Sequence, residues 1–242
     1  MIDMRILTWN IQNGGLHASF ESIINHLMQH KADMVVLTEF WDNPKGAAIK
    51  KGLFAMGYTF QNTHVSPYKM DCVFIASKID FYDVTDTKHP NIPYERWVEL
   101  YIPEKELYVL GVHIPNYLTR VQDRDCFCEN LVLYAKSHKE DQCVIIGDYN
   151  TSLTIDSQGP PRGCQQLLPK LVKNGWTDSW RMANGNQAIE YSYEDDGGYG
   201  FRLDYAYISP SLKHALSYCH FSHEERFDQS SDHSALLVDL NI

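Results

Sequence analysis

An α/β sandwich of two packed sheets is the fold this sequence predicts. Three observations support it: two strand–helix–strand units far apart in the chain, several further short apolar segments, and no internal repeat, low-complexity tract or Gly/Ser linker. The first unit opens with Met4 to Asn10 as a strand. From Ser19 to Lys31, Phe20, Ile23, Ile24 and Leu27 share one helical face, and Met34 to Phe40 follows as a buried strand. The second unit starts with the strand Tyr108 to Ile114. There Thr119-x-x-Gln122 forms a capping box that opens a helix with Val121, Cys128, Leu131, Val132 and Ala135 inward, before the short buried strand Val144 to Ile146. Between and after these units, Cys72 to Ala76, Trp97 to Ile102, Leu203 to Ile208, Leu216 to Phe221 and Ala235 to Leu240 read as strands. Gly159-Pro160-Pro161 and Gly197-Gly198-Tyr199-Gly200 are loop-sized, so one domain over residues 1–242 is expected.

Composition narrows the function classes. With 242 residues, 44% hydrophobic and 21% charged, the chain can bury about 70–75% of its unfolded surface, which excludes disorder and fibre. Apolar runs such as Met34-Val35-Val36-Leu37 end well short of the roughly 20 residues that span a bilayer, and no signal-type stretch precedes Met4. A soluble, cytoplasmic monomer without membrane or obligate protein partner is the expectation. Six cysteines are too sparse for a disulfide scaffold and form no C-x-x-C pair, so they read as reduced, packed thiols. A formal charge of −10 argues against a broad basic footprint, so any polyanion must be held locally or through a metal.

The chemistry lies where polar residues interrupt apolar strands. Ile6-Leu7-Thr8-Trp9 ends in Asn10, and Val35-Val36-Leu37-Thr38 ends in Glu39. Val109-Leu110-Gly111-Val112 ends in His113 and then Asn116, and Val144-Ile145-Ile146 ends in Gly147-Asp148-Tyr149-Asn150. Left unpaired in apolar surroundings, such groups cost several kcal/mol each, and a shared site at one sheet edge explains all four. Asp204 interrupts Phe201 to Ile208, and Asp232-His233 precedes Ala235-Leu236-Leu237-Val238. The carboxylates of Glu39, Asp148, Asp204 and Asp232, with the amides of Asn10 and Asn150, form an oxygen-rich set suited to Mg²⁺ or Mn²⁺ rather than zinc.

In order, Trp9-Asn10, Thr38-Glu39, His113-x-x-Asn116, Gly147-Asp148-x-Asn150, Arg202-Leu203-Asp204 and Ser231-Asp232-His233 resemble the endonuclease/exonuclease/phosphatase superfamily, over residues 4 to 240. The resemblance implies a four-layer α/β/β/α sandwich with two mixed sheets and a Mg²⁺-dependent phosphoesterase. It implies that Glu39 holds the metal, helped by Asn10 and Asp232. Asp148 then orients or deprotonates the attacking water and Asn150 binds the phosphate. Asp204 charges His233 for phosphate stabilisation, while His113 and Asn116 flank the scissile phosphate. Gln12 stands where some relatives carry a metal-binding Asp, which weakens the case for a second tightly held cation.

Phe201-Arg202-Leu203-Asp204 resembles the exonuclease III and abasic-endonuclease branch, where an aromatic and a leucine flanking Arg form a small apolar pocket beside the phosphate. DNA is therefore the expected substrate, cut as an abasic-site endonuclease or 3′ exonuclease would cut it. Lys45, Lys50, Lys51, Lys69, Arg120, Arg124, Arg162 and Arg181 are scattered candidates for phosphate contacts. The alternatives are hydrolysis of inositol phosphates, phospholipid head groups or other small phosphoesters, which the acidic balance favours, and a non-catalytic binding module. Each site residue also has a plainer reading. Asn10 could be a strand-end turn former, the carboxylates solvated groups where strands exit, Asp204 a partner of an arginine in the sheet, and His233 a satisfied structural histidine. Trp97, Tyr101, Trp176 and Trp180 are assigned to core packing, and Glu194-Asp195-Asp196 to a solvated loop.

Overall fold

Alternation along the strands builds the core. In β1 (Met4–Asn10), Met4 and Ile6 face one way while Leu7 and Trp9 face the other, and all four are buried. A strand buried on both faces must be sandwiched, and the computed structural model shows two six-stranded sheets face to face. It describes residues 3–65, 70–88, 92–116 and 121–242, with backbone alone at 121 and 122. The Thr119-x-x-Gln122 capping box, the orientation of Val121, Lys69 and Arg120 lie outside the described residues.

The first sheet contains β1, β2 (Met34–Phe40), β3 (Phe60–Thr63), β4 (Cys72–Ser77), β13 (Leu216–Ser222) and β14 (Ala235–Leu240), in the order β13-β14-β1-β2-β4-β3. The second contains β5 (Tyr82–Asp83), β6 (Trp97–Ile102), β7 (Leu107–His113), β8 (Gln142–Asp148), β9 (Thr177–Asp178) and β12 (Asp204–Ile208), in the order β5-β6-β7-β8-β12-β9. A two-stranded ribbon, β10 (Tyr193–Glu194) with β11 (Gly200–Phe201), stands apart. Each six-stranded sheet is mixed around a parallel pair, β1 with β2 and β7 with β8, joined through the helices Phe20–His30 and Val121–Ser137.

Ile6, Val36, Val73, Ile75, Val109, Val144, Ile146 and Leu236 fill the layer between the sheets. Gly111 belongs to this layer because a Cβ there would sit 2.9 Å from Val73 Cγ1. On the outer face of the first sheet, Leu7, Trp9, Val35 and Leu37 meet Ile23 and Leu27 of Phe20–His30 and Ile49 and Leu53 of the helix Pro44–Ala55. The outer face of the second is covered by Phe127, Cys128, Leu131 and Ala135, with Leu168 and Leu171 of the helix Leu167–Lys173. The result is the helix–sheet–sheet–helix sandwich expected.

Two antiparallel pairings complete the frame. β14 runs against β1, and β12 runs against β8 with Asp204 opposite Asp148. The ends of β1, β2, β7 and β8 therefore lie at the same edge as the beginnings of β12 and β14. Among the described residues, no helix is long and apolar enough to cross a membrane.

Candidate active site

Three local devices aim side chains into this edge. Glu39 has φ +53, at the register shift between Leu37 and Phe40 in the β2–β4 ladder, and such a bulge turns a side chain out of the strand's alternation. Gly147 has φ +147, and a Cβ there would stand 1.9 Å from the Val112 carbonyl oxygen, so only glycine lets β8 approach β7 just before Asp148. Asn150, at φ +45, folds back so that its N–H donates to Asp148 Oδ1 at 2.8 Å and its Nδ2 to the Ile114 carbonyl at 2.9 Å.

The groups so aimed converge. Asn10 Nδ2 donates to Glu39 Oε1 and to Asp148 Oδ2, both at 3.0 Å, and its Oδ1 accepts the Gln12 N–H at 2.9 Å. The Asn13 N–H donates to Glu39 Oε2 at 2.6 Å. His233 Nδ1 lies 2.8 Å from Asp204 Oδ2, and the Ser231 hydroxyl pins the turn by donating to the Asn10 carbonyl at 2.6 Å. Ligand atoms of Glu39, His113 and Asp148 lie within 4.8 Å of one another, and so do those of Asp148, Asp204 and His233. Asp148 is common to both.

The electrostatics match this crowding. Burial, with Asp204 and Glu39 adding to it against the pull of His233, lifts the Asp148 carboxyl to about 7. Burial works against the His233 imidazolium, but Asp204 and then Asp148 outweigh it and raise the ring to about 10. Burial and then Arg96 push His113 well below the usual range, so it is neutral. Asp232 is raised by burial and by Glu39. Asp204 Oδ1 is buried without a hydrogen-bond partner. Asp148 and Asp232, whose ionisation is disfavoured, together with the orphaned Asp204 oxygen, fit a divalent cation held by oxygen donors.

The sequence model of the Endonuclease/Exonuclease/phosphatase family matches residues 7–233. The chain belongs to this family. Among solved structures, an AP endonuclease from Archaeoglobus fulgidus aligns with a TM-score of 0.82, and a 3′ phosphatase, NExo, from Neisseria bound to product DNA hairpin aligns with 0.81. A 3′-5′ exonuclease (NExo) from Neisseria meningitidis aligns with 0.79. Each is 20% identical to the chain, and each alignment covers 99% of this chain and 100% of the other, a likeness of fold. No curated protein matches the sequence.

In this family member the structure gathers Asn10, Glu39, His113, Asp148, Asn150, Asp204 and His233. Asp232 belongs to neither compact ligand grouping and lines the adjoining cleft. Asn116 is exposed three residues past His113. Phe201 and Leu203 are buried; the Phe201 ring packs beneath the Arg162 guanidinium at 4.0 Å and beside Tyr193, whose ring lies 4.8 Å from His233.

Arg202 requires a correction. Its guanidinium has no exposed surface and is held by Asp156 at 2.9 and 3.0 Å and by Asp178 at 2.8 and 3.1 Å, so it does not reach a phosphate in the cleft. Arg202 lies between β11 and β12, where its N–H donates to the Asp156 carbonyl at 2.9 Å and so fixes the residue against the carboxylates that hold its side chain. The other candidate cations are mostly engaged internally: Lys45 with the Gly15 and Ala18 carbonyls, Lys50 with Asp42, Arg124 with Asp125 and Arg181 with Asp156. Sequence reasoning does not reveal Arg96, which donates to His113 Nδ1 at 3.1 Å and to Asp71 Oδ2 at 2.7 Å, because a basic residue opening an apolar strand carries no signal. Nor does it single out Tyr193 or Ser192, whose hydroxyl accepts the Asp204 N–H at 3.2 Å.

Metal-free stability should follow these charges. Asp148 ionises near 7 folded but near 3.8 unfolded, so its ionisation progressively destabilises the fold as pH rises from 4 to 7, by a few kcal/mol. His233 adds stability that is complete below its unfolded value of 6.5 and fades as pH climbs towards 10. With a chelator present, the Tm of the wild type should therefore drop relative to that of Asp148→Asn between pH 4 and 7. Parallel curves over that window would contradict the assignment.

Proposed function

We propose that this protein is a divalent-metal-dependent phosphodiesterase acting on DNA, of the abasic-site endonuclease or 3′ exonuclease type. The observation that carries the proposal is one buried edge that holds a carboxylate of near-neutral pKa, Asp148, beside an imidazolium, His233, clamped by Asp204. Phosphodiester hydrolysis needs a base for water, positive charge for the phosphate oxygens and help for the leaving oxygen. Asp148 takes the proton from the attacking water, held in line by Asn10 and Asn150. His233 presents positive charge to the phosphate. His113, kept neutral by burial and by Arg96, offers a ring nitrogen without adding charge.

Glu39 would hold the cation, with Asp148, His113 and Asp232 as neighbouring donors; because the Asn10 amide nitrogen donates to two carboxylates, Asn10 spaces the ligands as well as contributing its oxygen. When bound, Mg²⁺ or Mn²⁺ supplies Lewis acidity for the charge that builds on the phosphate and the departing oxygen. The Tyr193 ring, 4.8 Å from His233 and packed against the buried Phe201, is the apolar surface beside His233 that would meet a flipped sugar or a terminal base. The solved relatives described as an AP endonuclease, a 3′ phosphatase and a 3′-5′ exonuclease agree with DNA as substrate.

A second reading, hydrolysis of small phosphoesters, is favoured by the adjoining cleft of about 730 Å³. Its lining includes Glu194, Asp195, Asp196, Asp228 and Asp232, with Arg226 as its cation, and Arg226 is itself paired with Glu194. Such a rim repels an extended polyanion more than a single phosphate. The deciding experiment is a panel of abasic duplex, gapped duplex, 3′-phosphorylated DNA, single-stranded DNA, RNA, inositol phosphates and sphingomyelin, each with Mg²⁺, Mn²⁺ or chelator. We expect cleavage of abasic or 3′-terminal DNA that chelator abolishes. Release of phosphate or phosphocholine from the small substrates, with DNA untouched, would establish the second reading.

A further inference from the structure

Arg162 stands beside the site with its guanidinium laid on aromatic rings. Its Cζ is 4.0 Å from the centre of the Phe201 ring and 5.1 Å from that of Tyr193, and the Tyr193 ring is 4.8 Å from the His233 ring. One aromatic ring therefore separates this cation from the imidazolium of His233. The backbone is fixed as well. The Arg162 N–H donates to Ser152 Oγ at 3.0 Å and its carbonyl accepts the Ser152 N–H at 3.1 Å, which clips the residue to the chain two positions beyond Asn150.

The anionic partner of this guanidinium is Asp195. Arg162 Nη2 donates to Asp195 Oδ2 at 2.7 Å, while Asp195 Oδ1 accepts the Gly197 and Tyr199 N–H groups, both at 3.0 Å. One carboxylate oxygen thus holds its own loop together and the other faces the arginine. The Arg162 side chain remains 36% exposed. Arg226 is more enclosed, at 16%, and also donates to Ser234 Oγ, and Arg202 is sealed between two buried carboxylates. An ion pair that water reaches contributes little to stability, so a better anion displaces the carboxylate readily. A guanidinium held flat on aromatic faces keeps its fork of donors in one orientation, and two oxygens of a phosphodiester match that fork. A nucleic-acid strand carries further phosphates next to the one being cut, and a small phosphoester carries none.

We propose that Arg162 grips a phosphate adjacent to the scissile one, and that Asp195 fills that phosphate's place in the free protein. A strand that binds exchanges phosphate for carboxylate at this arginine. The proposal rests on the reading of the protein as a DNA phosphodiesterase and adds to it the residue that favours a strand over a small phosphoester. It also gives a role to part of the acidic rim: Asp195 lines the cleft as a counter-ion that substrate displaces.

The test measures binding apart from cleavage. A fluorescein-labelled abasic duplex is titrated, with chelator present, with wild type, Asp195→Asn, Arg162→Met and the double variant, and anisotropy is read over a series of KCl concentrations. Asparagine keeps an oxygen for the Gly197 and Tyr199 N–H groups and loses the charge that faces Arg162. Asp195→Asn is expected to tighten binding about three- to tenfold, a gain that misfolding does not produce. Arg162→Met should weaken it about fivefold and reduce the slope of log Kd against log KCl concentration by about one, the mark of one lost phosphate contact. In the Arg162→Met background, Asp195→Asn should shift the affinity by less than about twofold, because its benefit passes through the arginine. No tightening in Asp195→Asn, or equal tightening with and without Arg162, overturns the proposal. Cleavage of the same duplex with Mg²⁺ tests the hydrolytic reading separately. This binding pattern without cleavage would sink that reading and sustain the exchange at Arg162, and cleavage without the pattern would do the reverse.

Discussion

Asp148→Asn is expected to lower kcat on the preferred phosphodiester by about 10³- to 10⁴-fold at pH 7.5, and His233→Ala by about 10²- to 10³-fold, with much smaller changes in KM. The Asp148 oxygens accept hydrogen bonds from Asn10 and Asn150 and sit in a site where ionisation is costly enough to place the carboxyl at about 7, the value that suits a base working near neutrality. An amide keeps the shape and loses the proton acceptor. His233 lies in the same cluster, and its charge depends on Asp204 at 2.8 Å. The two groups serve one transition state, so the double variant should fall little below the worse single variant. Rates measured with saturating Mg²⁺ on the best substrate of the panel decide the matter. Activity within tenfold of wild type in both variants would remove these roles, whatever the substrate.

Arg202→Met is expected to destabilise the fold by about 3–5 kcal/mol, a Tm drop on the order of 10 °C, because it leaves Asp156 and Asp178 buried around a missing charge. Arg181 also pairs with Asp156 and compensates only in part. Adding Asp156→Asn and Asp178→Asn to Arg202→Met should recover much of the loss, since the penalty belongs to unpaired charge rather than to missing packing. Thermal unfolding of the single and triple variants measures it. A raised KM for DNA at unchanged Tm would instead return Arg202 to the substrate, as the Phe201-Arg202-Leu203-Asp204 resemblance implies.

Much of the framework was legible because burial leaves a periodic mark. β1, β2 and β6 have the bounds read from the sequence, and the helix Phe20–His30 falls within the segment Ser19 to Lys31, with Ser19 Oγ accepting the Ser22 N–H. β8 runs longer than the apolar core Val144 to Ile146, since backbone pairing continues through Gln142, Gly147 and Asp148 whatever their polarity. Periodicity does not reveal the helix Pro44–Ala55: Gly46, Ala47, Ala48 and Gly52 dilute its apolar face, although Asn43-Pro44 is an N-cap followed by proline at N1. The strand Thr177–Asp178 followed by the helix Ser179–Asn184 arises because β12 pairs with Thr177 and Asp178, and the Asp178 side chain then caps the helix by accepting the Arg181 N–H.

By itself the sequence determined that apolar strands end in Asn10, Glu39, His113 and Asp148, and that Asp204 and Asp232-His233 open two more; with their order, that was enough for the family. Only the tertiary structure decided which of these side chains touch. It turned Arg202 inward, set Arg96 against His113, made Asn10 a bridge between two carboxylates and left Asp232 at the rim. The physical reason is that a residue's place along a strand is a local matter of pattern. The direction of a strand-end side chain depends on a bulge, a positive φ or a partner supplied from far along the chain, as in the bond from Trp9 to the His233 carbonyl, 224 positions away.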